Sequence, residues 1–324
     1  MTATELATGR DERTDGPETA IAVEGLTKEF DGLVAVDDVS LEVRRGEVFG
    51  FLGPNGAGKT TAMKAMLGLV SADAGVVTID GADVAREPKA AKADLGFLPE
   101  RLSFYDNLTA AQTLGFFADL KDVAVDAPAL LEEVGLAHAA DRRVGTFSKG
   151  MTQLLGVAQA MIGDPGVYVL DEPMSGLDPR WRRRVREKIR SLNEGGATVF
   201  LSSHNLPEVQ SLCDRVAIID EGRVVATDTV AGLSEDALVS PRLELVVPGL
   251  GGEAPPVVEH LRDVELVAVD GDTLTLACPP DRRAGVVAEL LEASIEIADL
   301  HTSEPSLEDV FVRVVAESGE AGAR

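Results

Sequence analysis

Between Ile21 and about Asp220, short β-rich runs alternate with stretches whose apolar residues recur at helical spacing. That order predicts an α/β unit built on a mainly parallel sheet. Residues 47–52 read as a strand running into a glycine-rich loop, and Met63, Met66 and Leu67 behind the loop fall on one face of a helix. Residues 167–171 and 197–201 are short apolar runs with β-branched residues, the pattern of buried strands. Residues 215–220 form a further strand, closed by a turn at Glu221 and Gly222. From Asn107 to Met161 only helical patterning remains, so a helical subdomain at about 107–161 is expected as an insertion into the sheet domain.

Past residue 236 the texture changes, with Pro241, Pro248, Gly249, Gly251, Gly252, Pro255 and Pro256 punctuating the chain. Strands at 243–247, 265–269, 273–277 and 295–300, with helical segments at 257–261 and 281–293, predict a small accessory α+β domain over 237–324. The first 20 residues are acidic and polar, without the apolar core of a signal peptide, and read as a disordered tail. No window approaches the roughly 18 consecutive apolar residues that a membrane span needs.

Composition narrows the partners. The chain has 324 residues, too many for one ordinary domain. Its formal charge of -25 argues against nucleic acid as the main partner, because phosphate backbones need a basic face. Cys213 and Cys278 are too few for a disulfide scaffold or a four-ligand zinc site, which points to a reducing, cytoplasmic compartment. Arg outnumbers Lys, which a salt-rich cytoplasm and a GC-rich genome explain equally well.

The chemistry begins at Gly53-Pro54-Asn55-Gly56-Ala57-Gly58-Lys59-Thr60, which fits G-x-x-x-x-G-K-[ST] between a predicted strand and a predicted helix. Glycines let successive backbone N–H groups turn toward phosphates, and the helix N-terminus adds partial positive charge. In such a loop Lys59 reaches the β- and γ-phosphates of a nucleotide and the Thr60 hydroxyl ligates Mg²⁺. Asp171 and Glu172 follow four apolar strand residues, so both carboxylates emerge at a strand's C-terminal end, where open α/β sheets bind ligands. Asp171 is placed in the Mg²⁺ shell, and Glu172 beside the attacking water.

Taken together, these residues resemble an ATP-binding cassette (ABC) ATPase, the motor subunit of ABC transporters. The resemblance runs from about 21 to 236 and involves seven motifs in the family's order. Phe30 stands where the family places an aromatic that stacks on adenine, and Gly53 to Thr61 match the Walker A loop. Residues 167–172 match Walker B with its catalytic glutamate, Ser175 to Asp178 match the D-loop, and Ser203-His204 match the switch histidine. The signature, usually Leu-Ser-Gly-Gly-Gln, reads Phe147-Ser148-Lys149-Gly150-Met151; it keeps Ser148 and Gly150, the groups that contact the γ-phosphate held by a partner subunit. Leu98-Pro99-Glu100 carries a glutamate where most of the family has glutamine. A carboxylate at 100 can still ligate Mg²⁺ or orient water, while Glu172 is favoured as the base by its Walker B position.

Both departures look like the branch that powers ABC-2-type exporters, as does Ser306-Leu307-Glu308-Asp309-Val310-Phe311 near the C-terminus. Leu98 to Glu100 with Phe104-Tyr105, and the stretch 134–144, also resemble the copper-processing ATPase of nitrous-oxide reductase maturation; drug, lipid and polysaccharide exporters stay open. The resemblance implies a P-loop NTPase fold and a homodimer, or a dimer with a related ATPase, closing around two Mg-ATP. It also implies separate ABC-2-type membrane permease subunits that hold the ATPase on the inner face of the membrane. The rival is a soluble ABC ATPase acting on ribosomes or DNA, which usually carries two cassettes or a long coiled coil; here there is one Walker A and no heptad run. The six arginines and Lys188 between 180 and 190 read as a solvated helix face, and Trp181 as packing rather than adenine stacking. His138, His260 and His301 lack metal-ligand spacing, and nothing in the pattern marks a copper site.

Overall fold

Two long strands open the described chain, β1 (Thr19–Phe30) and β2 (Leu33–Arg44), followed by β3 (Val48–Leu52), α1 (Lys59–Met66), β4 (Ala74–Ile79), β5 (Ala82–Asp83), α2 (Pro88–Ala91) and β6 (Leu95–Leu98). Three helices follow, α3 (Ala110–Lys121), α4 (Ala127–Glu133) and α5 (Lys149–Ala160). Then come β7 (Val167–Leu170), α6 (Pro179–Glu194), β8 (Thr198–Ser203), α7 (Leu206–Leu212), β9 (Arg215–Asp220) and β10 (Arg223–Thr229). The structure is a computed structural model that describes residues 18–236, 241–303 and 311. The N-terminal tail up to residue 17 and the exporter-like segment at 306–310 lie outside the described residues.

The central sheet runs β10-β9-β3-β8-β7-β6, parallel throughout except for β10 at the edge. Every residue of β3, β7 and β8 is buried. That continuous burial is what a parallel sheet covered on both faces requires, and it explains why these strands read as apolar runs rather than alternations. Phe49 stacks on Phe200 at 5.9 Å between centroids, and Phe51 lies 5.6 Å from the same ring. Met63 and Met66 of α1 join this cluster from above, as their helical spacing predicts. Gly50 leaves room on β3 for Val209 and Cys213 beside α7, and burial pushes the Cys213 thiol well above its ordinary value.

A second sheet, β2-β1-β4-β5, is antiparallel throughout. Sequence patterning registers β3, β7, β8 and β9 but neither β6 nor this sheet; the registers of β1 on β2 and on β4 shift repeatedly and break the two-residue alternation. The insertion between β6 and β7 is helical, as expected, with one isolated bridge from Thr109 to Arg143. Since β6 and β7 are adjacent and parallel, the insertion occupies the crossover between them.

The chain divides into two compact units at Thr229 and Val230. The compositional boundary at 236 falls later, because the Pro- and Gly-rich texture begins only after α8 (Val230–Asp236), which clusters with the second unit. That unit holds β11 (Arg242–Val246), β12 (Glu265–Asp270), β13 (Thr273–Ala277), α9 (Arg283–Glu292) and β14 (Asp299–Ser303) in an antiparallel sheet ordered β12-β13-β11-β14. Leu243, Leu245, Leu274 and Leu276 alternate inward and pack with Val286 and Leu290 of α9. Two local expectations shift. Residues 256–260 form a 3₁₀ turn after Pro255 rather than an α-helix. The last strand begins at Asp299 instead of 295, since Ser294 takes a left-handed φ of 62° and Ala298 reaches the sheet with a hydrogen bond to Val246 O.

Candidate functional site

The loop after β3 turns because its glycines permit it. Gly56 and Gly58 have φ of 90° and 101°, conformations that side chains resist, and Gly58 is the N-cap of α1. A β-carbon at Gly53 would strike the carbonyl of Ile219, and one at Gly58 the carbonyl of Ala35. Within this turn Lys59 is buried, and its ammonium donates to Gly53 O at 2.7 Å and to Pro54 O at 3.1 Å. Burial lowers its pKa, while the carboxylates of Glu172, Asp171 and Glu100 pull the other way.

Asp171 and Glu172 follow β7 directly and are both buried. The Ser202 hydroxyl from β8 donates to Asp171 Oδ1 at 2.7 Å and accepts the Glu172 N–H at 2.8 Å. Burial raises the Asp171 pKa, against hydrogen bonds from Ser202 and Thr60, with Glu100 and Glu172 adding further upward pressure. Glu172 adopts a φ of 49°, which turns its side chain away from the strand. Its carboxylate sits between two partners, Lys59 Nζ at 3.6 Å and His204 Nδ1 at 2.9 Å from each oxygen.

These groups share one cleft of about 800 Å³. Asn55, Gly56, Gly58, Lys59, Thr60 and Thr61 form its floor, with Glu100, Glu172 and His204 on the walls. Gly53, Pro54 and Ala57 stand behind the floor; Gly53 and Pro54 hold Lys59, and Ala57 is buried against the turn at Gly222, whose N–H reaches Ala57 O at 3.0 Å. Asp171 lies beneath the cleft, hydrogen-bonded to Thr60. The oxygen donors of Thr60, Asp171 and Glu100 suit a hard cation such as Mg²⁺. Among the described residues no group of three or more His, Cys, Asp or Glu could hold a metal ion.

Four predicted residues lie elsewhere. Phe30 sits at the β1–β2 hairpin, paired with Leu33, exposed and covered by Lys28 Nζ at 5.1 Å from its centroid. The apolar wall of the cleft is instead Leu33, Val34 and Ala35. Ser148 and Gly150 open α5 and do not line this cleft; Ser148 is the N-cap, accepting the Met151 N–H at 3.4 Å. Asp178 caps α6 through Arg180 N and Trp181 N, both at 3.1 Å. Sequence reasoning missed Ser202, which holds the Asp171 carboxylate and the backbone N–H of Glu172. Its signal was a pair of serines closing a buried strand.

The family described as "ABC transporter" matches residues 36–175. The chain is similar to the daunorubicin resistance ATP-binding protein DrrA2 of Streptomyces coeruleorubidus, 37% identical, with 93% of this chain and 96% of that protein covered. It is also similar to the Nod factor export ATP-binding protein I of Rhizobium sp. (strain N33), 34% identical over 93% of this chain and 98% of that protein. A solved ATP-binding subunit of an ABC transporter superposes with a TM-score of 0.62 at 30% identity, covering 67% of this chain and 93% of its own.

Proposed function

The chain belongs to the ABC transporter ATP-binding family, and from that premise we propose that two copies close around two Mg-ATP to drive a separate ABC-2-type permease at the inner face of the membrane. It is an ATPase of the exporter type, with the P-loop NTPase fold. One observation carries the dimer: Ser148 and Gly150 do not line the cleft of their own Lys59, so the γ-phosphate contacts expected of them need a second copy.

Within each composite site, Lys59 and the loop N–H groups bind the phosphates, and Glu172 orients a water for in-line attack. The water oxygen bonds to the γ-phosphorus, the bond to the bridging oxygen of ADP breaks, and the water proton passes to Glu172. His204 Nδ1 lies 2.9 Å from each Glu172 oxygen and would hold the carboxylate together with Lys59. Thr60 and Asp171, with Glu100 on the same cleft, would hold Mg²⁺, which would supply positive charge against the phosphates.

No helix among the described residues is long and apolar enough to cross a membrane; a separate permease chain is supported by the relatives, which are named as ATP-binding proteins. We place its docking surface on the helical insertion, where Tyr105 packs edge-on against Phe116 and both stay exposed beside Leu120. An exposed aromatic and aliphatic surface on so acidic a protein marks an interaction face. The daunorubicin-resistance and Nod-factor-export relatives favour an exporter over copper processing.

Mixing two inactive variants tests the composite site. A Lys59→Ala chain and a Ser148→Arg chain each spoil both sites of their own homodimer, but their heterodimer keeps one intact site. Recovery of ATPase activity on mixing is expected, and no recovery would sink the dimer.

A further inference from the structure

One buried acid takes no part in the steps above: Glu208, 7% exposed, in the first turn of α7. Its Oε1 lies 3.0 Å from Nε of Arg182, which reaches across from α6. Nη2 of the same guanidinium donates to Leu177 O at 3.1 Å. These two contacts fall on the two segments that carry the Glu172–His204 contact. Glu172 opens the segment that ends at Leu177 and the Asp178 cap of α6, a turn in which Ser175 N donates to Glu172 O at 3.1 Å. His204 stands between β8 and the Asn205 cap of α7, and Asn205 Oδ1 accepts the Glu208 N–H at 3.1 Å. One guanidinium thus ties the backbone after Glu172 to the helix after His204. The His204 side chain is 45% exposed, so packing does little to fix the ring, and its place on Glu172 depends on the backbone beside it. Burial pushes the Glu208 pKa up and Arg182 pulls it down; Glu172, Arg186 and His204 are also close enough to act on it.

We propose that Arg182 and Glu208 are positioning residues for ATP hydrolysis, locking the start of α7 to the turn after Glu172 so that the His204 ring stays on the Glu172 carboxylate. The proposal rests on the reading of Glu172 as the base with His204 holding it. Arginine suits the place because its planar fork presents donors to two acceptors at once, whereas lysine offers one compact charge. A shift of either segment is passed to the other. If the turn at 175–178 moves, α7 and His204 move with it instead of parting from Glu172.

The test combines Arg182→Met and Glu208→Met in the full-length chain. Replacing both partners of a buried pair by apolar residues strands no charge, so the melting temperature should stay near wild type. ATP affinity should be kept, because the phosphate loop is untouched. The kcat for ATP hydrolysis should fall roughly 10- to 100-fold, the scale of misplacing a group by about 1 Å. The chain has four histidines, so the His204 ring can be assigned in NMR spectra of the imidazole nitrogens from the signal lost in His204→Ala. Its Nδ1 should carry a proton in wild type, held by Glu172, and the proton should move to Nε2 in the double variant. Should that variant fold poorly, Arg182→Lys keeps the charge, loses the fork and should show the same two changes at smaller size. Wild-type kcat, or an Nδ1 that keeps its proton while kcat falls, overturns the role of the pair. If His204→Ala itself hydrolyses ATP at the wild-type rate, the reading of His204 fails, and the proposal with it.

Discussion

Gly150 lies so close to the indole of Trp181 that a β-carbon at position 150 would overlap the ring. Gly150 is in the first turn of α5 and Trp181 in the first turn of α6, so the contact ties together the starts of two helices. The glycine of the signature is therefore required by packing inside the chain, whatever it contacts in a partner. Gly150→Ala should destabilise the protein by about 1–3 kcal/mol through overpacking. Combining it with Trp181→Leu should recover part of that loss in denaturant titrations. An unchanged midpoint for Gly150→Ala alone would remove the indole as the reason for the glycine.

Glu172→Gln preserves shape and removes the base. Lys59, Thr60, Asp171 and the loop amides remain to bind Mg-ATP, so binding should survive while hydrolysis falls by about 10²–10⁴-fold. The variant should accumulate as an ATP-bound dimer on size-exclusion chromatography, and Lys59→Ala should lose both nucleotide and dimer. Glu100→Gln should keep appreciable hydrolysis. The reverse pattern, an active Glu172→Gln and a dead Glu100→Gln, assigns the base to position 100.

Burial raises the Asp171 pKa in the folded chain. A raised aspartate pKa means that its ionised form is disfavoured by folding, so Asp171 detracts from stability at neutral pH and ceases to as pH falls through its folded pKa. Asp171→Asn keeps an acceptor for the Ser202 hydroxyl. Without nucleotide it should melt above wild type at neutral pH, and the gap should close on acidification. Added Mg-ATP should stabilise wild type far more than the variant. A gap independent of pH would mean that the ionised carboxylate is not the source of the cost.

Leu120→Glu places a charge on the exposed face beside Phe116. With its permease co-expressed, the variant should lose membrane association while its soluble ATPase activity stays near wild type. Retained co-purification would move the docking surface elsewhere.

Net charge makes a separate prediction. With a formal charge of -25, self-repulsion destabilises the compact state in dilute buffer, and salt screens it. Melting temperature should rise steeply from dilute buffer to molar KCl. A flat response would favour base composition over adaptation to salt as the origin of the acidic, arginine-biased chain.

Four of the five parallel strands, β3, β7, β8 and β9, and the loop after β3 were legible because burial leaves apolar runs, and because phosphate binding needs glycine and lysine at set intervals. The fifth, β6, four residues with a glycine among them, was too short to stand out. Lys59, Thr60, Glu172 and His204 line one cleft, with Asp171 next to Glu172 and hydrogen-bonded to Thr60. The antiparallel sheet was not legible, since bulges in β1 erase its alternation. Ser202 escaped for a different reason: a lone hydroxyl carries no periodic signature, and its partner arrives from a distant segment, Asp171 lying 31 positions away in sequence.

The left-handed backbone at Glu172 has a practical consequence for breeding better variants of this protein. A non-glycine residue held there costs about 1–3 kcal/mol, and its neighbour Asp171 is a buried acid that folding disfavours in its charged form. Glycine at 172 and asparagine at 171 would each relieve the folded chain. Each would also remove a group to which the proposed mechanism gives a part in turnover. A library screened for heat tolerance alone would therefore enrich silent motors at these two adjacent codons, and only a screen that couples survival to ATP consumption would hold both acids in place.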